Sequence, residues 1–246
     1  MKKIATNLLF ILLLGFLGFL YGFTKERNEA KKVKNSVVQF AEGANNFLTH
    51  KAVNKLLIQN QKNVQNQPKS VVDLHSLETV VSNNPYVEKA AVFLTIDGVL
   101  KTFIKQRTAI ARLVHKDSSF YVDKFEASMP LSANYSARVP LVSGVKCAEE
   151  INELIRLIEV IAKDDFFVKE IIAIEKTPQK EYVFTVRTGN YKILFGTFTG
   201  ATQKLRKLKA FYNKALKDGT INRYKEINLK YHDQVVCSKY NQDGEQ

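Results

Sequence analysis

From Ile4 to Phe23 the chain runs for twenty residues without a charged side chain, directly after Lys2 and Lys3. As an α-helix, a run of this length rises about 30 Å, the thickness of a bilayer's hydrocarbon core. It exceeds the apolar stretch of a cleavable signal peptide, roughly 7–15 residues, and no small-residue cleavage site follows it. The run predicts an uncleaved transmembrane helix over residues 4–23. Charge does not set its orientation. Lys25, Arg27, Lys31, Lys32 and Lys34 outnumber the two lysines before the span, but long downstream domains translocate largely regardless of such bias.

After the span, residues 24–34 read as a charged juxtamembrane spacer. Val37 to Phe40 is a strand candidate, Thr49 can cap a helix over His50 to Gln59, and Asp73 can cap another over Leu74 to Ser82. Asn84-Pro85 ends that helix. Two β-rich runs, Tyr86 to Ile96 and Val99 to Arg107, meet at Asp97-Gly98, a hairpin signal because glycine reaches the positive φ that tight turns need. Residues 35–115 therefore read as a strand-helix-helix-strand-strand module.

A second domain is expected over residues 116–240, ahead of a polar tail at 241–246. Ile151, Leu154, Ile155, Ile158 and Ile161 recur at helical spacing. Strands follow at Ile171 to Glu175, at Tyr182, Phe184 and Val186, and at Tyr191, Ile193 and Phe195. A last helix from Thr202 to Lys217 puts Leu205, Leu208, Tyr212, Ala215 and Leu216 on one face, with Gly219 as its stop. Strands over Tyr224 to Lys239 close the domain. The fold class is α+β: a transmembrane helix, the five-element module, then a mixed β-rich domain with two flanking helices.

No constellation of catalytic type emerges. There is no GxSxG, HExxH or P-loop sequence, and four scattered histidines with Cys147 and Cys237, which form no CxxC, spell out no metal site. The chain is therefore read as a non-enzyme with no catalytic, cofactor or metal residues and no small-molecule substrate. Asp164-Asp165 reads as a solvated helix terminus. Cys147 precedes a helix and Cys237 lies in the final strand, which predicts two free, poorly reactive thiols. The formal charge of +13, from 37 Lys+Arg against 24 Asp+Glu, contains no run of five like charges, so no nucleic-acid groove is indicated. The sharpest electrostatic feature is the last helix, where Lys204, Arg206, Lys207, Lys209, Lys214 and Lys217 interleave with the apolar stripe. It reads as a solvated face or as a docking surface for acidic groups of a partner.

Several boxes, in order, resemble the FtsQ/DivIB family of bacterial cell-division proteins. Asn84-Pro85-Tyr86-Val87 with Ala90-Ala91-Val92 is similar to the family's P-[WY]-V-x-x-A-x-V entry to a strand. Gln106-Arg107-Thr108-Ala109-Ile110-Ala111 is similar to its [EQ]-R-x-P-x-A box, with Ala109 at the usual proline. Phe120 to Asp123 resembles an l-v-D-x-x-G strand with Glu126 at the glycine, and Arg138 to Gly144 resembles an l-P-x-l-x-G segment. Leu194-Phe195-Gly196 matches a further box, and Ile227 to Tyr231 resembles h-D-L-R-Y with Asn228 at the aspartate.

The resemblance implies a POTRA domain over the first module and a β domain after it. It implies an inner-membrane protein at the division site, its N-terminus, residues 1–3, cytoplasmic and its domains extracytoplasmic (periplasmic). It further implies a scaffold linking early and late division proteins in septum formation, with partners of the FtsB/DivIC and FtsL type. Their capture is expected by strand addition along the closing segment, with Leu229, Tyr231, Val235 and Val236 as contacts and Lys204 and Lys207 steering acidic groups. The alternative is another envelope scaffold or secretion component that binds peptides on its POTRA module.

Overall fold

The computed structural model describes residues 2–29, 31–43, 47–60, 64–115 and 118–240; the expected polar tail at 241–246 lies outside them. Helix α1 (Lys2–Glu29) contains the apolar run, and its stretch from Asn7 to Asn28 is long and apolar enough to cross a membrane. The helix continues past Phe23 into the expected spacer. Its last turns hold the good helix formers Lys25, Glu26 and Arg27, the last of them a cation in the final turn, where the helix dipole favours one.

The chain divides into two compact units, Met1–Arg107 and Thr108–Gln246. The first contains β1 (Asn35–Phe40), α2 (His50–Asn60), α3 (Leu74–Ser82), β2 (Val87–Leu94) and β3 (Val99–Gln106), the expected five elements in the expected order. Both helices begin at their predicted caps: Thr49 Oγ1 accepts the Ala52 N–H at 3.2 Å and Asp73 Oδ1 the Ser76 N–H at 3.0 Å. Strand β3 is central, parallel to β1 and antiparallel to β2. The parallel pair requires a long crossover, which the helices supply. Val38, Leu57, Leu77, Val92, Leu100 and Ile104 are buried together in the resulting core.

The second unit is one nine-stranded sheet under two long helices. Its elements are β4 (Ala109–Val114), β5 (Ser119–Asp123), β6 (Ser128–Pro130), β7 (Leu141–Ser143), α4 (Ala148–Ile161), α5 (Asp165–Glu170), β8 (Ile171–Lys176), β9 (Tyr182–Val186), β10 (Lys192–Gly196), α6 (Ala201–Lys217), β11 (Tyr224–Asn228) and β12 (Val236–Lys239). The strand order is β12-β11-β10-β9-β8-β7-β4-β5-β6. Parallel neighbours β7/β8 and β10/β11 are joined through α4–α5 and α6, whose apolar faces cover the sheet in a single core.

Three expectations need correction. β4, expected in the first module, pairs with β5 and β7 and so belongs to the second sheet. Asp164 stands at a helix terminus and is part-exposed, as expected, but its carboxylate is engaged and not merely solvated. It caps α5, accepting the Phe166 N–H at 2.9 Å, and it holds Lys209 of α6 at 2.9 Å, which draws its carboxyl below the usual range. Leu216, placed on the buried face of α6, is exposed. Its neighbours Leu205, Leu208, Tyr212 and Ala215 already fill that stripe.

A candidate partner-binding edge

A sheet that does not close has two edges, and only an edge can accept another strand. In the second unit one edge is β6, three residues ending in Pro130, which has no N–H to offer. The other is β12, which pairs with β11 on one side and with no described strand on the other. The Tyr240 N–H donates to the Arg223 carbonyl at 3.2 Å. Because amides alternate sides along a strand, those of Ser238 and Val236 turn toward β11 and those of Cys237 and Lys239 toward the open side.

Side chains on this edge divide by the same alternation. Cys237 packs against the core, while Val236 stays 42% exposed. Tyr231, in the connection from β11 to β12, is 50% exposed. Two apolar side chains are thus presented beside unpaired backbone.

The remaining predicted contacts take other roles. Leu229 is fully buried and donates its N–H to the Leu194 carbonyl at 2.9 Å, so its side chain is core and not contact surface. Val235 is half-buried against the core. Lys207 spends its ammonium on the carbonyls of Tyr231 and His232, the latter at 2.9 Å, and so holds the β11–β12 connection against α6. Lys204 donates to the Thr197 carbonyl at 2.7 Å and lies over the Phe195 ring at 5.0 Å. Burial, followed by the nearby Lys207, lowers its pKa. Both lysines hold this region in place, and the basic groups of α6 that stand exposed are Arg206, Lys214 and Lys217.

The family model described as FtsQ/DivIB, C-terminal related, matches residues 108–238, just over half of the chain. The chain belongs to the FtsQ/DivIB family. A second model, of POTRA-like domains, matches residues 32–105. Among curated proteins none matches. A solved structure, the major extracytoplasmic domain of the trans isomer of the cell-division protein DivIB from Geobacillus stearothermophilus, is 14% identical with a TM-score of 0.33. It covers 47% of this chain and 98% of that one, a likeness too slight to argue from. Membership makes this chain a division-related scaffold, and the apolar α1 fits a single-pass membrane protein.

The structure also explains how the divergent FtsQ/DivIB boxes still work. Asp123 accepts the N–H groups of Phe125 at 2.8 Å and Ala127 at 2.9 Å, shaping the β5–β6 turn, and Glu126 takes the positive φ of 65° that a glycine there would adopt. Asn228 accepts the Lys230 N–H at 3.0 Å, an Asx turn that an aspartate would make equally well. The cysteines are both free, as expected, but differ in access. Burial raises the pKa of Cys237, whereas Cys147 is exposed at the start of α4. Among the described residues, no group of three His, Cys, Asp or Glu side chains is placed to hold a metal ion.

Proposed function

We propose that this chain is a non-catalytic scaffold of the division site that links early and late division proteins, taking partners of the FtsB/DivIC and FtsL type as an added strand on β12. The observation that carries the reading is the open edge, with outward amides at Cys237 and Lys239 beside exposed Val236 and Tyr231. Backbone pairing supplies affinity that depends little on sequence, while the two side chains select among extended peptides. Arg206, Lys214 and Lys217 would accelerate encounter with an acidic partner, an effect that raised salt removes.

Lys239→Pro tests the edge directly, since it removes an outward N–H without taking a bond from the β11 ladder. Capture of an FtsB/DivIC-type partner by the full-length variant should weaken about tenfold or more, the equivalent of roughly 1.4 kcal/mol, with the melting temperature unchanged. Undiminished capture by the folded variant would refute strand addition.

The reading also places the N-terminus in the cytoplasm and both units outside it. A membrane-impermeant maleimide added to spheroplasts should then label exposed Cys147 quickly and Cys237 slowly. Labelling of Cys147 only after lysis would reverse the topology.

A further inference from the structure

The first unit meets the end of its anchor helix through a cluster of features that partner capture does not use. The N–H of Lys31 donates to the Asn28 carbonyl at 3.3 Å, and the carbonyl of Lys31 accepts the Lys69 N–H at 2.9 Å. The Lys34 N–H donates to the Gly98 carbonyl at 2.8 Å, so the tip of the β2–β3 hairpin lies beside the residues that leave α1. Gly98 permits this approach. It adopts φ +86°, and a Cβ there would stand 2.6 Å from the Lys32 carbonyl oxygen.

Two aliphatic side chains are presented at this end without cover. Ile96, on the hairpin tip, is 77% exposed, and Val71, in the 3-10 turn Lys69–Val71, is 65% exposed. The ammonium of Lys69 ties the two segments together by donating to the carbonyls of Thr95 at 2.7 Å and Ile96 at 2.6 Å. Ile96 shares a crevice with Tyr21, Thr24, Lys25, Arg27 and Lys31 of the helix end. The apolar run ends at Phe23, and a tyrosine near such an end marks the headgroup level of a bilayer. For a bilayer whose headgroups meet the helix at this tyrosine, the hairpin tip lies at headgroup depth.

Charge at this level is mostly of one sign. Lys25, Arg27, Lys31, Lys32 and Lys34 are exposed, and the sequence sets Glu26, Glu29 and Asp97 against them, while the Lys69 ammonium stays on its two carbonyls. We infer that this end of the POTRA-like module docks on the membrane surface, with Ile96 and Val71 inserted between anionic phospholipid headgroups and the exposed Lys25, Arg27, Lys31, Lys32 and Lys34 paired with their phosphates. Amphipathic segments bind bilayers in this way, by shallow apolar burial together with attraction to anionic lipid. The inference rests on α1 as a membrane span and is independent of the partner bound at β12.

The chain contains no tryptophan, so Ile96→Trp and, separately, Val71→Trp each introduce a single indole at an exposed position. The full-length variants would be reconstituted in vesicles of phosphatidylglycerol with phosphatidylcholine and in vesicles of phosphatidylcholine alone, with far-UV circular dichroism to establish folding. In the anionic vesicles, emission should shift to the blue and be shielded from acrylamide. The shift should diminish as salt rises, be lost in the zwitterionic vesicles, and be reduced by Lys31→Gln with Lys32→Gln. Water-like emission from both indoles in both compositions would overturn the inference. An equal shift in both would overturn the headgroup pairing. A shift that grows with the protein-to-lipid ratio would identify a second copy of the chain as the occupant and overturn the lipid assignment.

Discussion

Gly144→Ala should destabilise the second unit by about 4 kcal/mol, a loss at the severe end for a single substitution. Gly144 follows β7 with φ +81°, a region where a residue with a Cβ is strained by roughly 1–2 kcal/mol. The larger cost is steric. A Cβ at this position would stand 1.9 Å from the carbonyl oxygen of Lys176, 2.9 Å from its carbon and 3.3 Å from its nitrogen, all backbone atoms of β8. To relieve the overlap, β7 and β8 must separate where Val142 faces Ile174 and Ser143 faces Glu175, in the middle of the nine-stranded sheet. Gly219→Ala supplies the control, because its φ of +64° imposes the same conformational strain with nothing within 4 Å of the added carbon. Urea unfolding of the two variants should show a far larger drop in midpoint for Gly144→Ala. Equal drops would mean that the contact with Lys176 is relieved by a small local shift.

That glycine illustrates what a sequence reveals and what it withholds. Gly144 stood out as the end of a family box, yet the reason only a glycine fits is a strand 32 positions later in the chain, from 144 to 176. Local signals survived intact. The caps at Thr49 and Asp73, the Asp97-Gly98 hairpin and the periodic faces of α4 and, Leu216 apart, of α6 each depend on neighbours within a few residues, and each is found where the pattern put it. The edge was half legible. That strands close the chain follows from alternation, but that β12 is the last strand of the sheet depends on the order of nine strands, which no local pattern encodes. The contact residues were less legible still. Lys204 and Lys207 looked like steering charges because a basic helix is visible in sequence. Their carbonyl partners at Thr197, Tyr231 and His232 appear only once the connections fold back onto α6. Short elements escaped for a related reason: α5 spans six residues, too few for a helical period to emerge.

The side chain of the same Lys176 yields the second large effect, through an asymmetry between partners in one ion cluster. Its ammonium lies 3.2 Å from Glu153 and 3.6 Å from Glu150, both on α4, and Tyr182 donates its hydroxyl to Glu153 at 2.6 Å. The lysine side chain is only 5% exposed and that of Glu153 33%, so the cation is the member that water cannot reach. Removing a partner from a buried charge costs more than removing the charge itself. Glu153→Ala leaves the ammonium with the more distant Glu150 and strands the Tyr182 hydroxyl, and it should cost about 3 kcal/mol at neutral pH. Lys176→Met removes the desolvated charge, keeps a chain of similar volume and leaves Glu153 its tyrosine and solvent, so it should cost about 1 kcal/mol or less. The acid limb carries the same signature. Burial alone would raise the Glu153 pKa, but the Tyr182 hydroxyl and Lys176 outweigh it and draw it down; at Glu150 the Lys146 N–H is the largest cause of lowering. A folded-state pKa below the unfolded one contributes stability that is present above the ordinary carboxylate range, near 4, and lost as the pH falls through it. The wild-type chain should therefore lose stability steeply between about pH 5 and pH 3, and Lys176→Met should flatten that slope. Equal costs for Lys176→Met and Glu153→Ala at pH 7, with the acid slope unchanged in both, would show that the cluster acts as an ordinary surface pair and not as a buried cation held by its carboxylates.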